Sequence, residues 1–130
     1  MSFPWSAYLT MAEILLEIRP TNRPEWHDEA VQRIAISRAY YAAFCTARNT
    51  ARDHERFSPT GTGRDHGQVI RHYQQRSRIH RQIAVTLRRL RDLRGQADYD
   101  DIIDENLLLL AQNAVQDARD VLDALEHLHV

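Results

Sequence analysis

In the stretch LRRLRDLRGQADYD, residues 87–100, one arginine stands where a core side chain belongs. Ile79, Ile83, Leu87 and Leu90 lie along one helical face, and the next position on that line is Arg94. Arg88, Arg89 and Arg91 fall on other faces, toward solvent. A guanidinium carried toward an apolar groove needs a partner, because an unpaired buried charge is costly. Asp98 is close enough in sequence to pair with it, and Tyr99 could share a hydrogen bond. Two readings follow: Arg94 waits in a groove for an anion, or it satisfies the last carbonyls of a helix that Gly95 ends.

Two further places could bind phosphate. In ISRAYYAAF, Arg38 sits within one turn of Ile34, Ala35, Tyr41 and Ala42, so it is expected to be partly buried and paired, or to snorkel from the core. In GTGRDHGQVIRHY, glycines precede a helix start with Arg64, His66 and Arg71 nearby. Free N–H groups at a helix N-terminus make such a stretch either an anion cradle or a flexible loop with a histidine cap. It is not a P-loop, since no Gly-Lys-Ser/Thr follows. Cys45, the single cysteine, lies in an apolar run and reads as core. The one Glu-x-x-His turn, Glu126 to His129, lies at the end of the chain, and neither a metal nor another cofactor is expected.

Charge is strongly segregated. All 17 basic residues are arginine; residues 33–94 hold 14 of them against 4 acids, while residues 95–130 hold 1 against 9. Such a basic block attracts phosphates or an acidic surface. Alternatively, basic helices pair with the acidic last helix inside one fold. With one cysteine, no membrane-length apolar run and no secretory start, the chain is expected to be soluble and cytoplasmic, without a membrane partner.

The elements that position these residues are helices. Glycine and proline are confined to a few places, leaving windows 25–58, 68–94 and 96–130 free of both. The spacing predicts a first helix over Trp5–Ile18 with Tyr8, Met11, Ala12, Leu15 and Leu16 inward. A long second helix runs from near Pro24, with Asn22 or Arg23 at its boundary, to Phe57. Its middle, AYYAAFCTA, is apolar on every side, as in a helix central to a bundle or shared between protomers. Shorter helices follow over His66–Gln75 and His80–Arg94. A last helix starts near Asp101 or Asp104, either of which could cap it, and its leucines and alanines form one clean face. One all-α domain, residues 1–130, results: an antiparallel bundle of four to five helices.

SRAYYAAF at 37–44, HGQVIRHY at 66–73 and LRDLRGQADYD at 90–100, in this helix order, resemble the HEPN family, closest to its small stand-alone prokaryotic members. The resemblance covers nearly the whole chain. It implies a HEPN-like bundle that forms a homodimer and binds nucleotide or RNA, often beside a nucleotidyltransferase-type antitoxin partner in a toxin–antitoxin pair. Many members are metal-independent endoribonucleases using an arginine and, four to six residues later, a histidine. The arginine aligns with Arg94, but Tyr99 stands where that histidine belongs, and none follows until His127. Arg48 and His54 match the spacing by chance, on the wrong helix. The family pattern therefore leaves two readings: a binding protein that holds phosphates with Arg38, Arg64, Arg71 and Arg94, or a nuclease with a rearranged site. In the second, His66 comes in from another helix as acid or base and Asp98 or Tyr99 assists.

Overall fold

The computed structural model describes residues 2–129 and shows why AYYAAFCTA is apolar all round. Five helices follow one another: α1 (Ser6–Glu17), α2 (His27–His54), α3 (Arg64–Gln74), α4 (Arg78–Tyr99) and α5 (Leu107–Leu128). No strand occurs among the described residues. α2 is the axis, with the other four helices packed around it. Ala39, Tyr40, Ala42, Ala43, Phe44 and Ala47 are all buried; the alanines let neighbouring helices approach closely and the aromatic rings fill the remaining space. One chain therefore covers the apolar middle of α2 by itself. The all-helical bundle expected from the sequence is present, and no described helix is long and apolar enough to cross a membrane.

Boundaries differ where local chemistry outweighs periodicity. In α1, Leu9 and Ala12 are fully buried, whereas Met11, expected inward, is exposed. α2 stops at His54 rather than Phe57. Arg56 takes a left-handed φ of 59°, and the Phe57 N–H turns back to the Ala51 carbonyl at 3.2 Å, closing the helix in a reverse turn. That turn directs the Glu55 side chain inward. α4 starts at Arg78, where the Ser77 hydroxyl accepts from the His80 N–H, and it passes through Gly95 to Tyr99 instead of stopping at Arg94. The extension is secured from outside: Arg33 of α2 donates to the carbonyls of Ala97 (3.0 Å), Asp100 (2.7 Å) and Asp101 (3.3 Å). An arginine does satisfy the end of this helix, but it is Arg33 and not Arg94. α5 is capped by Asn106, whose side chain accepts from the Leu109 N–H at 3.1 Å, and not by Asp101 or Asp104.

The basic and acidic blocks are not neutralised against each other. Among the described residues, the ion pairs between them are Arg89–Asp117 and Arg94–Asp98.

Candidate functional site

A pocket of about 450 Å³ opens where the start of α1, the middle of α2, the start of α3 and the end of α4 meet. Helical spacing on α2 places Arg38, Tyr41, Phe44 and Arg48 along it, while Trp5 and Tyr8 form the opposite wall. Guanidiniums and rings alternate. Arg38 lies over Tyr8 (4.8 Å) and Tyr41 (4.9 Å), and Arg48 over Trp5 (5.7 Å) and Phe44 (5.9 Å). Arg94 reaches the same cluster from α4, 5.4 Å from the Tyr40 ring centre and 5.7 Å from that of Tyr41. Each cation over a ring gains about 0.5–1 kcal/mol, and Arg48 also donates from Nε to Asn49 Oδ1 at 3.0 Å.

Arg94 is the most constrained of the three. Its side chain is 15% exposed and its Nη1 lies 3.7 Å from Asp98 Oδ2. Asp98 also accepts from the Ser37 hydroxyl (3.3 Å), which itself accepts from Arg38 Nη2 (3.2 Å). One carboxylate thus ties the two arginines into a single network. The Arg94 Nε is buried and has no hydrogen-bond partner.

His66, on the first turn of α3, lies flat on Phe44 with ring centres 4.3 Å apart, and its Nδ1 is hydrogen-bonded to the Tyr40 hydroxyl. Burial, then the nearby charges of Arg91 and Arg94, push its pKa down, so the ring is neutral at pH 7. Burial also pushes the Tyr40 phenol up, keeping it protonated. Tyr40 is fully buried and its hydroxyl has no other described partner, so its proton goes to Nδ1. The hydrogen-bond network therefore assigns the ring hydrogen to Nε2 and makes His66 a donor.

The sequence-predicted residues divide clearly. His66, Arg38 and Asp98 line this pocket, and Arg94 lies beside them against Tyr41 and Asp98 without being part of the lining. Arg64 and Arg71 are exposed and lie outside its lining, and Tyr99 is 76% exposed with no side-chain partner among the described residues. The cradle expected in GTGRD is filled by the chain itself. Buried Asp65 accepts from the Thr60 N–H (2.8 Å), the Thr60 hydroxyl (2.7 Å) and the Gly61 N–H (3.0 Å), around the left-handed φ of 75° at Gly61. Burial opposes the ionised form of Asp65, but these bonds prevail and lower its pKa. Sequence reasoning missed Arg48, Trp5 and Tyr8 as site residues; Arg38 and Arg48 are ten positions apart on α2, and their pairing with Tyr8 and Trp5 at the start of α1 shows only once the partner helix is known.

It also missed a second cluster. Glu55, with its side chain 1% exposed, is bonded by Nε2 of His72 (2.8 Å), His80 (2.7 Å) and His129 (2.6 Å), with Arg76 at 3.7 Å. Burial alone would raise this carboxyl; the three histidine bonds overcome it and hold it at about 2. The distances are those of hydrogen bonds, and among the described residues no group of three or more His, Cys, Asp or Glu is arranged to hold a metal ion. Comparison with protein-family models, curated proteins and solved structures gave no match.

Proposed function

We propose that the chain is a HEPN-like protein whose aromatic and arginine-lined pocket binds the phosphates and bases of a nucleotide or of RNA. One observation carries this reading: arginines stacked on aromatic rings gather at the pocket, while its two carboxylates, Asp65 and Asp98, are already bonded within the chain. Arg38, Arg48 and Arg94 are stacked on aromatic rings, His66 offers Nε2–H, and the buried Arg94 Nε lacks an acceptor. A phosphate oxygen supplies acceptors, and a base supplies a face for the rings. A role as homodimer and as one component of a toxin–antitoxin or nucleotidyltransferase-linked pair rests on the sequence resemblance.

The test is anisotropy of a labelled single-stranded RNA, competed with mononucleotides, at two salt concentrations. Arg94→Ala is expected to weaken binding roughly tenfold, about 1.4 kcal/mol, and to reduce the salt dependence. Equal affinity in the variant refutes the assignment.

The alternative is a metal-independent endoribonuclease, favoured by the meeting of His66 and Arg94 on Tyr40. There Arg94 and the Nε2–H of neutral His66 donate hydrogen bonds that stabilise the charge on the phosphorane. Cleavage in EDTA that disappears in both Arg94→Ala and His66→Ala supports it. A normal rate in His66→Ala removes it.

A further inference from the structure

α3 and α4 carry more positive charge than the pocket uses. They form a hairpin joined by three residues, so α4 runs back along α3. Residues 64–94, which make it, hold nine arginines; their carboxylates are the buried Asp65 and the exposed Asp92. The arginine ion pairs of this stretch are Arg76–Glu55, Arg89–Asp117 and Arg94–Asp98, which leaves Arg71, Arg88 and Arg91 with none among the described residues. Gly67 and Arg71 lie one turn apart on α3, as Arg88 and Arg91 do on α4. The two helices meet at Gly67, where a Cβ would stand 3.8 Å from Arg91 Nη1. From that contact α3 runs one turn forward to Arg71 while α4, traced in reverse, runs one turn to Arg88. Arg71 and Arg88 therefore stand level, one turn beyond Arg91. Burial first, and then the charge of Arg91, lower the His66 pKa, so Arg91 adjoins the pocket as well. Arg88 and Arg91 are like charges at i, i+3, an arrangement that costs a helix stability.

We propose that the outer face of this hairpin, at Arg91 and then at Arg71 and Arg88, is a second site that holds the phosphate backbone of a strand whose end nucleotide sits in the pocket. The proposal rests on the nucleotide reading and adds a length and a direction to it: the ligand is longer than the pocket and leaves it over the start of α3. Continuity selects this occupant. Arg91 adjoins both surfaces, and a run of phosphates supplies acceptors from one to the other, whereas an acidic protein surface has no ring to place among Trp5, Tyr8 and Tyr41. Asp92, one turn past Arg88, is the carboxylate the backbone must pass, and Arg88 stands between it and α3.

Anisotropy of a labelled uridine dinucleotide and a labelled uridine octanucleotide tests it. The octanucleotide should bind roughly tenfold more tightly, two exposed contacts contributing about twofold to fivefold each. Its salt slope should be steeper by roughly 1.4, about 0.7 for each of two further phosphates. The double variant Arg71→Ala/Arg88→Ala should lose most of that gain and of that slope, while its unchanged dinucleotide affinity reports an intact pocket. Arg19→Ala, which removes an exposed arginine outside the hairpin, should change neither. An octanucleotide that binds no more tightly than the dinucleotide, or a double variant that keeps the gain, overturns the proposal and leaves the pocket reading standing. No binding of either ligand overturns both. Equal displacement of the octanucleotide by a glutamate octapeptide assigns the face to an acidic protein and overturns it as well.

Discussion

Replacing Glu55 by glutamine removes one charge from the centre of four side chains: His72 on α3, Arg76 in the link after it, His80 on α4 and His129 just past α5. The size of the effect follows from the carboxyl itself. A group held at about 2 instead of 4.5 stabilises the folded state by about 3 kcal/mol at neutral pH, at roughly 1.4 kcal/mol per unit. The amide keeps one acceptor oxygen for three Nε2 donors, and its own NH₂ faces a donor, so at least one bond is lost outright. For a domain of this size about 3 kcal/mol corresponds to a fall in Tm of roughly 12 °C. Because the folded-state value is depressed, the wild-type contribution is complete above about pH 4.5. It is lost as the pH falls from there through 2. Thermal unfolding of wild type and Glu55→Gln at pH 7 measures the first quantity. A carbon-13 titration of the glutamate carboxyls, with the variant supplying the assignment, measures the second. A fall in Tm below about 3 °C, or a Glu55 carboxyl that titrates above pH 4, would refute the reasoning.

Gly95 sits inside α4, and a Cβ built there meets nothing within 4 Å, so Gly95→Ala should stabilise the chain by about 0.5–1 kcal/mol and raise Tm a few degrees. A lower Tm would show that the glycine has a role its surroundings do not display. Arg33→Ala removes the clamp on the last carbonyls of α4; hydrogen exchange should accelerate selectively at 97–101, with a loss of about 1–3 kcal/mol. Unchanged exchange there would mean that the helix end holds without it. Cys45 is buried, and burial raises its pKa against the opposing charges of Arg48 and Arg38, so a thiol reagent should modify the native chain at least about a hundredfold more slowly than the unfolded one. Tyr99→Phe should alter neither stability, within about 0.5 kcal/mol, nor RNA affinity, which anisotropy beside Arg94→Ala checks.

Periodicity made the helices legible, because burial against a central partner imposes it. The stripe through Ile83, Leu87 and Leu90 pointed to Arg94, and Arg94 is indeed carried inward to Asp98. Ends were harder to read. Gly95 suggested a stop because glycine weakens helices on average, but a clamp from Arg33, 62 positions away, outweighs that local cost. The same limit explains the site. Arg38 and His66 could be singled out from their immediate neighbours. Arg48 looked like a chance match until Trp5 was seen beneath it, and Tyr99 followed from counting along a helix whose face at that position looks outward. The Glu55 cluster joins residues 17 to 74 positions apart, and no local pattern announces it.

α3 carries two histidines that face opposite situations. His72 donates to a carboxylate the chain supplies, whereas His66, two turns earlier, offers its N–H beside Arg38, Arg48 and Arg94, which share only Asp65 and Asp98. The pocket is therefore a place where folding has gathered more positive potential than it has neutralised. Any anion that fits there relieves the cost along with gaining its own contacts. Ligand and thermal stability are then coupled, so the identity of the ligand can be sought without knowing the reaction. A compound at about 100 times its Kd should add about 2.7 kcal/mol, roughly 10 °C in a melting scan of a nucleotide and oligonucleotide panel, and Arg94→Ala should abolish that rise.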